Sequence, residues 1–337
     1  MFRKFDMITR PKRVRTRLTV ETMESRDCPA VYSIVDLLPP PGGVGTVRAA
    51  QGLNDNGLVV GSSWQVSGHD GAAAWQVGGG PTATGMFLPI FGGEPYSEAR
   101  DANNSGMIAG YSGIGGSSSY THAVVWVGGG GSYVVRDLGI LPSTPTFPFT
   151  SSRADSLSDP DANGMTWVVG VSSTIDTSGV FGVRHPTVWR IDSGGNVLAR
   201  IDLEPAEPVG AWAFDVRVVG ASVLVVGQVN YPSAIDRPRI WTLDLTGNLL
   251  SQNTLGSLGG PRSTGQSINS QGHVAGWSNQ TSTSPYFGFI HRDGTMTSLG
   301  SLSNNGSGAY ALNDSDTVVG HYTTVGKRVT DGSQQYA

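Results

Sequence analysis

Residues 265–302 read GQSINSQGHVAGWSNQTSTSPYFGFIHRDGTMTSLGSL. The opening segment, Gly265–Gly276, is a two-strand unit around Asn269-Ser-Gln-Gly272 that ends in the apolar pair Val274-Ala275 and Gly276. Asn bonds its own backbone in a turn, and Gly supplies the positive φ that closes it, so the segment reads as a β-hairpin. The unit recurs at the same length as Ala50–Gly61, Ala99–Gly110 and Ala309–Gly320. All four copies carry Asn at the fifth place: Asn54, Asn103, Asn269 and Asn313. Three carry Gly at the eighth (Gly57, Gly106, Gly272), where the last has Asp316. Two more copies end at Gly170 and Gly227, with longer or altered turns. The closing Gly leaves no side chain where another backbone must pass closely.

A third element follows 14 to 19 residues after that Gly and ends in an aromatic: Ala72–Trp75, Ala123–Trp126, Pro186–Trp189 and Pro238–Trp241. The fifth copy, Gly288–His291, has His in the Trp place. A fourth element ends in Leu-Gly or a relative, as at Asp137-Leu-Gly139, Ile201-Asp-Leu203, Thr254-Leu-Gly256 and Ser298-Leu-Gly300, with Val35–Leu38 an unpaired example. Four strands per unit, repeated at 44 to 60 residues, predict an all-β chain folded as a β-propeller. About six blades are expected, near 31–77, 83–127, 132–190, 196–243, 248–291 and 294–331, with the last one incomplete. Residues 31–331 then form a single repeat domain and 332–337 a frayed tail.

Bulk properties agree. The chain has 337 residues, 48 Gly, 19 Pro and 14% charged residues, which excludes collagen, a coiled coil and a highly charged disordered chain. The sequence contains no apolar run of 18 residues or more, so no transmembrane segment is expected. The net charge is −4, yet residues 1–17 hold seven basic groups against Asp6. The remainder therefore carries −4 − (7 − 1) = −10, an acidic body that argues against nucleic-acid binding. Cys28 is the only cysteine, which excludes an internal disulfide and a Cys-based metal cluster.

Residues 1–30 differ in composition from the rest and lack the apolar core of an ordinary signal peptide. A basic run leads into Leu18, Val20, Glu21, Met23, Glu24, Arg26, Pro29 and Ala30. That pattern resembles the leader of many exported planctomycete surface proteins and implies export. From Val31 to Gly320 the repeats resemble the extracellular family named for a His-Ala-Phe tripeptide (HAF repeats). His122-Ala-Val-Val-Trp126 and His185-Pro-Thr-Val-Trp189 keep its His and Trp, whereas Gly71, Arg237 and Phe287 take the His position elsewhere. The resemblance implies a propeller-like fold and an extracellular or cell-surface location. It brings no established activity.

Candidate sites are few. Asp159-Pro-Asp-Ala-Asn-Gly164 matches the first half of a calcium loop. Asp159, Asp161 and Asn163 are the candidate ligands for Ca2+, with an Asx-rich turn as the competing reading. The six His include no His-x-x-x-His pair, and His122 and His185 occupy equivalent repeat places, a pattern of structural hydrogen bonding rather than a metal site. Trp75, Trp126, Trp189 and Trp241 recur at one phase and read as core fillers. Trp64 and Trp277 lie off that phase and are the candidates for stacking a glycan. Asp55, Asp101, Asp215 and Asp314 occupy related hairpin places and read as turn residues. No nucleophile elbow or phosphate loop is present in the sequence.

These observations favour a non-catalytic binding or interaction module at the cell surface, a monomer whose partner is a glycan or a surface protein. An enzyme acting on extracellular polysaccharide is the alternative, and a structural envelope component the third reading. Three or more carboxylates gathered with aromatics in one pocket would favour the enzyme.

Overall fold

The computed structural model describes residues 34–114, 117–144, 148–175, 181–205, 210–301 and 305–323. The expected leader and frayed tail lie outside these residues. Among the described residues every regular element is a strand. The first sheet runs, from its inner edge outward, through β2 (Gly43–Leu53), β3 (Leu58–Gln65), β4 (Asp70–Gln76) and β5 (Thr82–Phe87). A short β1 (Asp36–Leu38) joins β5 in parallel at the outer edge. The second sheet is β6 (Gly93–Ala102), β7 (Ile108–Ile114), β8 (Ser117–Gly129) and β9 (Ser132–Asp137). The third is β10 (Ser151–Leu157), β11 (Thr166–Ile175), β12 (Phe181–Ile191) and β13 (Val197–Asp202). The fourth is β14 (Ala211–Val219), β15 (Ser222–Tyr231), β16 (Ile235–Asp244) and β17 (Leu249–Thr254). The fifth is β18 (Ser263–Ile268), β19 (Val274–Asn279), β20 (Tyr286–Arg292) and β21 (Thr295–Gly300). A sixth sheet has two described strands, β22 (Ser307–Leu312) and β23 (Val318–Tyr322).

The first strands β2, β6, β10, β14, β18 and β22 pack one on the next in chain order. They line a common centre, and the antiparallel sheets fan out from it as propeller blades. Blade architecture is as expected, but the phase is not. The Leu-Gly element is the outer, fourth strand of its own sheet rather than the leading strand of the next. Each blade therefore begins with the hairpin, and the first four-stranded unit is 43–87 rather than 31–77. Adjacent strands pair most readily through short antiparallel turns. The Trp strand and its Leu-Gly neighbour are joined by such a turn, as at Gly128–Gly131.

In the first five sheets the second strand is covered on both faces, which is why it reads as an apolar run. On β3, Val60 packs toward the second sheet with Ala99, Ile108 and Trp126, while Val59 faces the other way with Trp75 and Ala83. The four in-phase tryptophans are buried as expected, at 1% exposure or less. Trp75 and Trp126 also donate their Nε1–H to the carbonyls of Leu38 and Pro89, both at 2.7 Å, and Trp241 to Glu204 Oε1 at 2.7 Å. In the fifth sheet the filler is Phe289, fully buried, and not the half-buried His291. The two lie two places apart, hence on the same side of one strand. On the sixth sheet Tyr310, Val319 and Tyr322 are exposed, as is Leu53 on β2.

Candidate functional site

One irregularity recurs in every sheet. The pairing of first and second strands slips by one residue at Gln51, Arg100, Asp155, Phe214, Gln266 and Tyr310. Each slip is a β-bulge, which bends the strand and re-aims a side chain. Opposite each bulge sits the closing Gly of the hairpin. A Cβ on Gly61, Gly110, Gly170, Gly227, Gly276 or Gly320 would meet a facing carbonyl oxygen at 1.8 to 2.1 Å. Such an approach is impossible for any other residue, so the glycine and the bulge require one another.

All six bulged residues line one cavity of about 770 Å³ at the centre of the blades. Their side chains differ from sheet to sheet: two amides, an Arg, an Asp, a Phe and a Tyr. Arg100 is set between carboxylates, with Nη1 2.8 Å from Glu98 Oε1 and Nη2 3.4 Å from Asp155 Oδ1. Asp155 also takes Arg153 Nε at 3.0 Å. Glu98 Oε2 accepts the Tyr111 hydroxyl at 2.6 Å, and burial together with that carboxylate holds the phenol far above its ordinary range.

A second layer lies directly beside the bulges, at Asp101, Ser156, Asp215 and Ser267. Ser156 Oγ lies 2.8 Å from Asp101 Oδ2 and 3.1 Å from Asp215 Oδ1, and Ser267 Oγ donates to Asp215 Oδ2 at 2.9 Å. Backbone N–H groups of Leu157 and Ile268 add bonds to Asp101 and Asp215 at 3.2 and 2.9 Å. These carboxylates bind one sheet to the next. Asp101 and Asp215 are thus not turn residues, a correction to the sequence reading. The bulge carries them out of the hairpin and onto the axis. Burial raises the Asp101 carboxyl to about 6; its Ser156 bond works against that rise and the Asp215 charge adds to it.

A third ring is the hairpin turn itself. Asn54 Oδ1 accepts the N–H groups of Asn56 and Leu58, while its Nδ2 donates to the carbonyl of Asn103 at 2.8 Å. Asn103 repeats this toward Ser158 at 2.9 Å, and Asn269 toward Asn313 at 3.2 Å. Asp314 Oδ1 accepts the Ser270 N–H at 2.9 Å, and Asp55 Oδ2 the Asn104 amide at 2.9 Å. Asp316 has φ 59° in the place of Gly and bonds His273 Nδ1 at 2.8 Å and Arg292 at 3.3 Å.

The expected calcium residues belong to this ring. Asp159 accepts the N–H and side-chain amide of Asn104 at 2.7 and 3.1 Å. Asp161 is buried; Oδ1 accepts the Asn163 and Met165 N–H groups at 2.7 and 3.1 Å, and Oδ2 accepts Trp167 Nε1 at 3.0 Å. Asn163 is exposed. Each carboxylate oxygen of Asp159 and Asp161 has a donor. Of the histidines, His122 and His185 bond the Asp of the adjoining outer strand, Asp137 at 3.0 Å and Asp202 at 2.7 Å. No cluster of three metal-binding side chains occurs among the described residues.

Trp64 and Trp277 lie on the first and fifth sheets, each held by its own partner. Trp64 is 36% exposed with the Arg48 guanidinium 5.0 Å from its ring, and Trp277 packs edge-on against Tyr286 at 4.4 Å. The bulge layer was missed from the sequence. Its record in the sequence is the closing Gly of each hairpin, which faces the bulge across the strand pair.

No protein-family model and no curated protein matches the sequence. Among solved structures, the chain is similar to a subtype N10 neuraminidase-like protein of A/little yellow-shouldered bat/Guatemala/060/2010. Identity there is 9% and the TM-score 0.42, over 76% of this chain and 85% of that one. It is similar to an ulvan lyase of polysaccharide lyase family PL25 at 13% identity and TM-score 0.45, over 80% and 76%. Likeness to a thermostable family-43 glycoside hydrolase stands at 11% and 0.38, over 74% and 91%. At these values the likenesses carry no argument about this chain's chemistry.

Proposed function

We propose that the chain is an exported, non-catalytic binding module of the cell surface whose axial layer receives a glycan or a surface protein. One observation carries this reading: six side chains of differing chemistry, at a single recurrent backbone position, line one cavity. Amides and an Arg–Asp pair hold hydroxyl groups, and aromatic faces cover apolar ring surface. Export and cell-surface location rest on the leader and HAF-repeat resemblances of residues 18–30 and 31–320.

The test is a glycan array and a surface-protein capture with the full chain, run beside Phe214→Ala and Gln266→Ala. Ligands retained by the wild type and lost by the variants support the axial layer. Ligands held equally by all three, or lost only in Trp64→Ala or Trp277→Ala, would move the site to those outer tryptophans.

The enzyme alternative draws on Asp101, Asp155 and Asp215 sharing the cavity with Phe214 and Tyr310. Against it, Asp101 and Asp215 spend their oxygens on holding sheets together, and Asp155 on two arginines. Release of reducing ends from a polysaccharide pool, abolished by Asp215→Asn in a folded variant, would establish the enzyme instead.

A further inference from the structure

Ser156 stands between two carboxylates and has one hydrogen to donate. Its Oγ is 2.8 Å from Asp101 Oδ2 and 3.1 Å from Asp215 Oδ1. With both acids ionised, only one of these contacts is a hydrogen bond, and the other sets a lone pair against a carboxylate. With a proton on one acid both become bonds, because the protonated acid donates to Ser156 and Ser156 donates to the ionised one.

The remaining donors decide where that proton sits. Asp215 also accepts from Val216 N–H at 2.8 Å, Ile268 N–H at 2.9 Å and Ser267 Oγ at 2.9 Å, three donors besides Ser156. Asp101 has only the N–H groups of Ala102 at 2.9 Å and Leu157 at 3.2 Å besides Ser156.

We propose that Asp101 and Asp215 hold one proton in common through Ser156, and that this proton latches the second, third and fourth sheets together at the axis. Asp101 is the acid that carries it. Burial raises this carboxyl to about 6, and the neighbouring Asp215 charge contributes.

The surrounding charges leave the pair to itself. Arg100, on the same strand, is committed to Glu98 and Asp155. Asp155 on β10 is committed to Arg100 and Arg153. Arg217 on β14 donates to the Ile268 carbonyl at 3.2 Å. From β2 it is Gly52 that abuts Asp101, and β18 contributes the neutral Ser267. Asp55 and Asp159, at the cavity wall, are held by Asn104, and Tyr310 faces the cavity from β22.

A carboxyl with a raised folded pKa adds stability that is fully present below the ordinary value of 3.8 and is lost as pH rises through about 6. The latch is therefore closed in mild acid and open above neutrality. It sits directly beside Arg100, Asp155 and Phe214, yet the inference does not depend on what that layer binds.

The experiment follows the aspartate carboxyl carbons of the full, 13C-labelled chain by NMR, which reads each acid separately from total proton uptake. The expected result is one carboxyl titrating near 6, absent from Asp101→Asn. An amide at this place donates to Ser156 at every pH, so the variant's thermal midpoint loses the extra fall that the wild type shows between about pH 5 and pH 7. Aspartates that all titrate below about pH 4.5 would overturn the latch. So would a pH slope unchanged in Asp101→Asn. If that variant does not fold, the wild-type carboxyl titration decides alone.

Discussion

The hairpin turns and the bulges lie a few residues apart on the same strands, and they follow opposite rules. At the turns the residue type repeats, and Asn54, Asn103 and Asn269 each close their own turn and reach a carbonyl of the next sheet. At the bulges the backbone repeats, but Gln51, Arg100, Asp155, Phe214, Gln266 and Tyr310 have no common chemistry. A repeated side chain is a joint between sheets. A repeated backbone with changing side chains is a frame that presents different groups at one place. The propeller uses the first to hold its blades and the second to equip its axis.

The frame depends on glycine, so the largest effect is expected there. A Cβ on Gly110 would stand 2.1 Å from the Glu98 carbonyl oxygen and 3.0 Å from Trp126. Gly110→Ala must therefore either undo the bulge at Arg100 or push β6 and β7 apart. A loss of about 3 kcal/mol or more is expected in denaturant unfolding, in the range of severe core lesions. Gly129→Ala is the control. Its Cβ meets nothing within 4 Å, and a change within about 0.5 kcal/mol is expected. Equal effects at the two glycines would sever the link between closing Gly and bulge.

The joints come next. Asn103 is 4% exposed, accepts from Met107 N–H at 3.0 Å and Ser105 Oγ at 2.7 Å, and donates to Ser158. Asn103→Ala strands a buried N–H and a buried carbonyl, at a cost of about 2–3 kcal/mol in the same unfolding measurement. Asp at this place keeps the turn but loses the donor, so Asn103→Asp should recover only a fraction of the loss.

The turns were readable in advance because their chemistry is local: Asn and Gly act on residues two to four away. Tryptophan burial was readable for a similar reason, since one large filler recurs at one phase. The phase of the blade was not, because a cyclic repeat has no first strand until pairing selects one. Starting the first blade at residue 31, ahead of the hairpin, shifts every boundary. Asp101 and Asp215 were placed in the turn because a bulge adds a residue without leaving a mark of its own. Only the glycine opposite records it, and that record requires knowing which strands face each other. Alignment by the aromatic at the end of the strand selects His291 and passes over Phe289, which lies on the same face two residues earlier and is the buried filler.

Asp159–Gly164 tests whether the third sheet's inserted turn is only another joint. Asp161 takes the role of Asn in the other sheets, with one addition, since its second oxygen accepts Trp167 Nε1 at 3.0 Å. Asp161→Asn preserves the turn but sets an amide N–H against the indole, and about 1 kcal/mol should be lost. If hydrogen bonds alone hold this turn, that loss is the same in calcium and in chelator. A wild-type melting temperature that rises with calcium, and no longer does so in Asp161→Asn, would instead show that a cation competes for these oxygens.

The smallest effect on stability is expected at the bulge side chains themselves. Phe214 is half-buried on the axis, and its backbone place is held by the Trp212 carbonyl opposite Gly227 and by the Asp215 bonds to Ser267 and Ile268. Phe214→Ala leaves all of these intact and should shift unfolding by about 1 kcal/mol or less. The same substitution removes an aromatic face from the cavity, where a stacked ring contributes well beyond its share of area. Binding and stability should therefore separate at Phe214 and travel together at Asn103. A Phe214→Ala chain that unfolds as readily as Asn103→Ala would mean that the axial layer, too, is a joint, and that the two rings differ in residue type without differing in role.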